Sequence, residues 1–120
     1  MRKEKILIFI PAYNVEKEIT KVLNKIPKIV FNKYNTKILV IEDNSSDKTL
    51  SVIKKVIKKK GDKIKIYLIA NKKNKGYGGV QKIAFNYAIK KNFRYVIMLH
   101  RDNQYPANKI LLLIKPLLTN

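Results

Sequence analysis

The chain contains no cysteine, which excludes a disulfide framework, a thiolate metal site and cysteine catalysis together. Glycine and proline are scarce, four of each, while 46% of the residues are hydrophobic, a composition that argues against disorder. Length allows one modest domain with a real core. No apolar run approaches the roughly 20 residues that span a bilayer. The charged start Met1-Arg2-Lys3-Glu4-Lys5 is followed only by Ile6 to Ile10 before Pro11, too short for a secretory segment. These absences lead us to expect a cytoplasmic protein.

Acidic residues are few, 8 against 27 basic ones, for a formal net charge of +19. Arginine is scarcer still, limited to Arg2, Arg94 and Arg101. Base readout favours arginine, and the lysines are spread over helix faces and strand ends. Lys58-Lys59-Lys60, the densest group, falls where a helix C-terminus is expected and where cations suit the dipole. We read the charge first as a solvated lysine-rich surface, second as attraction toward an anionic membrane surface. Nucleic acid comes last and is not expected as a partner.

Hydrophobic periodicity alternates regularly between strands and helices. Strands are expected at 5–10, 37–42, 63–70 and 94–99. Helices are expected at 15–26, from Ser45 or Ser46 to about Lys60, and at 79–91. Asn14 is the expected N-cap of the first helix, which Pro27 ends. Pro106 opens a last helix over 107–118, whose apolar content exceeds one face. Strands alternating with helices of this length imply right-handed βαβ units and a parallel sheet. The expected class is α/β, three-layered, with at least four parallel strands.

In such sheets ligands bind at the carboxyl ends of the strands, and four motifs sit there. After the first strand, Pro11-Ala12-Tyr13-Asn14 lacks the glycines that a dinucleotide pyrophosphate requires, so NAD and FAD are disfavoured. Tyr13 can stack on a base, although a structural tyrosine in a turn explains it equally. After the second strand come Glu42-Asp43-Asn44-Ser45-Ser46-Asp47. Capping accounts for Ser45, Ser46 and Asp47 but not for the paired acids, of which only one can face a cleft. Three of the four glycines lie in Gly76-Tyr77-Gly78-Gly79, where backbone can approach a ligand closely, with Lys75 able to pair with a phosphate. After the fourth strand, His100-Arg101-Asp102 offers an imidazole and a hard oxygen, a set suited to Mn²⁺ or Mg²⁺ completed by a diphosphate.

Together, Ile8-Phe9-Ile10-Pro11-Ala12-Tyr13-Asn14, Ile41 to Thr49, Asn74 to Gly79 and His100 to Pro106 resemble the family 2 glycosyltransferases. These are inverting enzymes of GT-A fold that use nucleotide-diphospho-sugars. The resemblance is nearest to the dolichyl-phosphate mannose and glucose synthase branch. It implies that Pro11, Tyr13 and Asp43 hold the nucleoside, with Ala12, Asn14, Glu16, Lys75, Gly76 and Arg101 contributing to the nucleotide-sugar site. It further implies that Asp102 and His100 bind the metal and Gln104 lies near the sugar. His100 replaces the first acid of the usual Asp-x-Asp, Val15 stands where an acid often follows Tyr-Asn, and Glu42 replaces an Asp.

A complete domain of this family is longer than 120 residues, and no acceptor half or acceptor base is recognisable. We therefore expect residues 1–120 to be the N-terminal, nucleotide-binding part of such a domain, with no catalytic base of its own. The expected reaction is transfer of a hexose from a UDP- or GDP-sugar to a polyprenyl phosphate or other glycan acceptor. The expected setting is cytoplasmic, peripheral at the inner face of the membrane. Two other readings stay open: a non-catalytic nucleotide-sugar-binding fragment that needs a partner chain, and a basic nucleic-acid-binding domain.

Overall fold

A computed structural model of the chain describes residues 4–61 and 64–99. Four strands, β1 (Lys5–Ala12), β2 (Asn35–Glu42), β3 (Ile66–Ala70) and β4 (Tyr95–Met98), form one parallel sheet in the order β3-β2-β1-β4. Ile8 of β1 is level with Ile38 of β2 on one side and Ile97 of β4 on the other. A parallel sheet is covered on both faces, which is why β1 is apolar without a break. Ile6, Ile8 and Ile10 belong to one core, Leu7 and Phe9 to the other, as the two-residue strand period requires.

Three helices, α1 (Ile19–Asn24), α2 (Lys28–Lys33) and α3 (Thr49–Lys60), cover the first face through Ile19, Leu23, Val30 and Ile53. One helix, α4 (Gly76–Lys90), covers the second, where Ala84 and Ala88 allow close approach to the sheet. Handedness explains this asymmetry. The chain moves from β1 to β3 in one direction across the sheet, then returns past β1 to place β4. Right-handed connections put the helices of opposite travel on opposite faces. The reversal lies between β1 and β4, so their carboxyl ends flank the crevice of the sheet. The expected three-layer, Rossmann-like arrangement with a parallel sheet is present.

Several boundaries differ from the periodicity. The first helix does not run over 15–26; it is the six-residue α1, and Asn14 is not its N-cap. The N–H of Val15 goes instead to Thr49 Oγ1 at 2.8 Å and that of Glu16 to Asp47 Oδ2 at 3.3 Å. With those amides satisfied by another loop, the chain turns before it winds. Helix α1 ends at Asn24, before Pro27, and the extended backbone of Pro27 opens α2, which the periodicity does not announce. Helix α3 starts at Thr49, later than Ser45 or Ser46 would place it, because both serines bond to Asn14. Helix α4 starts at Gly76 rather than Gly79, and β3 at Ile66 rather than Lys63. The expected helix over 107–118 lies outside the described residues.

Candidate functional site

At the carboxyl edge of the sheet, Pro11, Ala12 and Tyr13 from the end of β1 meet Asp43 after β2, Asn74 before α4, and Gly76, Tyr77 and Val80 from the start of α4. They line a cleft of about 290 Å³. A larger cavity of about 850 Å³ sits at the opposite end of the strands, among Glu4, Lys5, Phe31 and Arg94, and contains none of the four motifs. We therefore place the site in the smaller cleft, where the motif residues converge at the crevice of the sheet.

Asp43 organises this cleft. It is only 4% exposed. Its Oδ1 accepts from the Asn71 side-chain amide at 2.9 Å and from Lys75 N–H at 2.8 Å, while Oδ2 accepts from Gly76 N–H at 3.0 Å. A buried carboxylate is tolerated when hydrogen bonds replace its water, and three N–H donors do so here. Oδ1 thus has two partners and Oδ2 one, which leaves Oδ2 an acceptor direction among the described groups. Glu42 serves differently. It is buried, and its Oε1 accepts from Ser45 N–H at 2.6 Å, shaping the loop after β2. The structure thus separates the paired acids as the sequence required: one for the loop, one for the cleft.

Two glycines have distinct reasons. Gly76 has φ +72°, in the left-handed region that side chains rarely adopt. A Cβ on Gly79 would come within 2.8 Å of Lys75 Cβ. The Lys75 side chain is exposed beside the cleft, while its amide is held by Asp43. The Tyr77 hydroxyl donates to Met98 Sδ at 3.2 Å and ties the start of α4 to the end of β4.

Asn14 and Glu16 lie on the other side of Tyr13. Asn14 has φ +52°, and its Oδ1 accepts from Ser46 N–H at 2.9 Å and Asp47 N–H at 3.4 Å. In return its own N–H donates to Ser45 Oγ at 3.0 Å. The two loops after β1 and β2 are stapled by these bonds, which hold the half-exposed Tyr13 at the cleft mouth. Asp47 completes the staple. Desolvation pushes its carboxyl up, but hydrogen bonds from the Thr49 hydroxyl and amide and from Glu16 N–H outweigh this and hold it below its ordinary value.

The structure thus gathers Pro11, Ala12, Tyr13, Asp43 and Gly76 at one cleft, with Lys75 beside it and Asn14 and Glu16 in the supporting loop. His100, Arg101, Asp102 and Gln104 lie outside the described residues. The last described residue before them, Leu99, is fully buried and donates its N–H to Phe9 O at 3.0 Å. Among the described residues no group of three His, Cys, Asp or Glu could hold a metal. Sequence reasoning overlooked Asn71, although an asparagine directly after β3 carried a signal for it, since that residue type favours side-chain bonds in turns.

Comparison with known proteins matches residues 7–120 to the model of glycosyl transferase family 2. The chain belongs to that family. A relative in Methanococcus voltae, a dolichyl N-acetyl-α-D-glucosaminyl phosphate 3-β-D-2,3-diacetamido-2,3-dideoxy-β-D-glucuronosyltransferase, is 38% identical over 88% of this chain and 31% of its own length. A UDP-N-acetylglucosamine–dolichyl-phosphate N-acetylglucosaminyltransferase of the same organism is 25% identical over 100% of this chain and 50% of its own. Among solved structures, the mannosyltransferase of Pyrobaculum calidifontis in complex with GDP-Man and Mn²⁺ shares the fold. Its TM-score is 0.67 at 19% identity, covering 92% of this chain and 31% of that one. The family 2 chain therefore spans no more than half the length of any of these proteins.

Proposed function

We propose that this family 2 chain is the donor half of an inverting hexosyl transferase. In this reading it binds a UDP- or GDP-sugar with Mn²⁺ or Mg²⁺, and the sugar passes to a polyprenyl phosphate at the cytoplasmic face of a membrane. The observation that carries the reading is the convergence of Tyr13, Asp43 and Gly76 on one cleft at the sheet crevice. The dolichyl phosphate in the name of one relative and the dolichyl-linked glycosyl phosphate in that of the other support a polyprenyl-linked acceptor, and the UDP-N-acetylglucosamine of the former and the GDP-Man of the mannosyltransferase support a nucleotide-linked sugar.

Tyr13 stacks on the base from the cleft mouth, and Asp43 Oδ2 accepts from a pyrimidine N–H or a ribose hydroxyl. Pro11 and Ala12 form a wall of small apolar groups against the nucleoside. Asn14 and Glu16 act through the staple that holds Tyr13. The Lys75 ammonium and Arg101 pair with the diphosphate, and Gln104 contacts the sugar. Asp43 is committed to three N–H donors, so the groups that suit a hard divalent cation are Asp102 and His100. A cation bound there would neutralise the charge of the departing nucleotide diphosphate. We assign the acceptor base to no residue of 1–120, but to the part of the family domain these residues do not span.

A thermal-shift series with UDP, GDP, CDP and dTDP, each with and without Mn²⁺, tests the reading. Ligand at 100 times its dissociation constant stabilises the fold by about 2.7 kcal/mol. One nucleotide should raise the melting temperature in a metal-dependent way, and Asp102→Asn should abolish the metal dependence while leaving the unliganded melting temperature unchanged. A cooperative unfolding transition that no nucleotide moves would overturn the donor assignment.

A further inference from the structure

Among the described residues the two faces of the sheet are covered unequally, three helices on one side and one, α4, on the other. The outer surface of α4 is unusual for a helix facing water. Ile89 is 74% exposed and Phe85 is half exposed, with exposed Lys82 and Lys90 near them along the helix. Beside α4, the part of the sheet that it leaves uncovered presents Tyr67 to solvent. Tyr67, Tyr87 and Phe93 form a continuous aromatic group there, with ring centroids 6.2 Å apart at each step. Lysines surround it: Lys5, Lys37 and Lys91 line the same small cavity, and Lys5 Nζ lies 4.5 Å from the centre of the Phe93 ring. The sequence has no acidic residue between Lys63 and Arg101, the stretch that builds this layer.

We infer that the α4 face docks onto an anionic lipid bilayer. An exposed isoleucine and phenylalanine on a helix, tyrosines at its edge and lysines throughout match an interface between headgroups and acyl chains, where tyrosine is enriched and lysine reaches up to phosphate. Nucleic acid fits less well. Tyr87 stacks on Phe93, Lys5 covers the Phe93 ring and Tyr67 is tilted at 47° to Tyr87, so the group offers few open faces to bases, and a phosphate-binding surface has no use for Ile89. The inference goes beyond the donor reading, since binding to lipid requires no nucleotide. It also has a geometric consequence for it. Gly76 lines the donor cleft and Ile89 lies 13 residues further along the same helix, about 20 Å at 1.5 Å per residue. The proposed lipid-facing end of α4 and the donor cleft thus lie at opposite ends of one helix.

Sedimentation of the purified chain with vesicles tests this, using phosphatidylcholine alone or two parts phosphatidylcholine to one part phosphatidylglycerol. The chain should sediment with the anionic vesicles only. Lys82→Glu with Lys90→Glu should weaken capture about fivefold or more, and Ile89→Ser should weaken it without changing net charge. Lys55→Glu with Lys59→Glu, an equal charge reversal on exposed positions of α3, should leave capture within about twofold of the unaltered chain. Equal loss from both charge reversals would overturn the inference, leaving only non-specific charge attraction. So would capture of duplex DNA or RNA that the α4 variants abolish while vesicle capture persists. A fluorescence measurement makes the result independent of those variants. The chain has no tryptophan, so Ile89→Trp supplies a single reporter. Its emission should shift to the blue on anionic vesicles, and that of Ser51→Trp on α3 should not; matching behaviour of the two would also overturn the docking face. Neither readout involves nucleotide, so a failure of the donor assignment leaves this test intact.

Discussion

The carboxylate of Asp43 accepts the backbone N–H of Gly76, 33 residues further along the chain, at 3.0 Å. One side chain at the end of β2 thus sets where α4 begins, and α4 in turn supplies one wall of the cleft. The same atoms that could recognise a nucleoside therefore also hold the fold together. Substitution at Asp43 should affect stability and binding at once.

Asp43→Asn keeps the shape but turns an NH₂ group toward one of the backbone amides. A buried donor facing a donor costs about 2 kcal/mol, and Asp43→Ala, which leaves the Asn71 side-chain amide and Lys75 N–H without this acceptor and Gly76 N–H with Asn74 Oδ1 alone, about 3 kcal/mol. Urea denaturation measures both. A change below about 0.5 kcal/mol in either variant would show that water replaces the carboxylate without cost.

Asn14 combines a positive φ with an acceptor for the Ser46 loop. Asn14→Gly keeps the backbone conformation and loses the side-chain bonds. Asn14→Ala loses both. The alanine variant should therefore be less stable than the glycine variant by about 1 kcal/mol, reversing the usual order of the two residues. The difference in their denaturation midpoints decides it.

Neighbouring glycines should respond in opposite directions. Gly78 lies within α4, and a Cβ there meets nothing within 4 Å. Gly78→Ala should stabilise the chain by about 0.5–1 kcal/mol through helix propensity and a less flexible unfolded state. A Cβ on Gly79 is forced against Lys75 Cβ, close to backbone that Asp43 holds, so Gly79→Ala should destabilise by about 1–3 kcal/mol. Two melting curves suffice, and equal effects would refute the steric account.

Hydrogen bonds to Asp47 lower its carboxyl below the ordinary value of 3.8. Because the folded state favours the ionised form, its contribution to stability is present above that value and is lost as pH falls through the depressed one. Below about pH 4 the unaltered chain should therefore lose stability more steeply than Asp47→Asn, the two curves converging as the pH is lowered. Parallel pH profiles of the denaturation midpoint would show that the Thr49 and Glu16 contacts do not favour the charged form.

Much of this molecule was readable from local pattern. Buried parallel strands are continuous apolar runs, so β1 and β2 were recognisable from Ile6 to Ile10 and from Ile38 to Ile41. The residues after each strand could be marked as a site, because a parallel sheet directs every such loop to one edge. Helix starts were read less well. Asn14, Ser45 and Ser46 carry the chemistry of caps, yet they bond across two loops instead. The cap at α4 comes from Asp43, outside any local window.

By itself, then, the sequence determined the class of fold, the strands and the set of residues at their carboxyl ends, since burial and backbone periodicity act over a few residues. Tertiary structure alone decided the strand order, with β4 beside β1, and hence the crevice between them. It also decided that Asp43 faces the cleft while Glu42 turns into its own loop, and that among the described residues α4 covers one face of the sheet with Ile89 on its exposed side. Each of these depends on contacts between segments tens of residues apart, and no local preference encodes which distant amide a carboxylate will find.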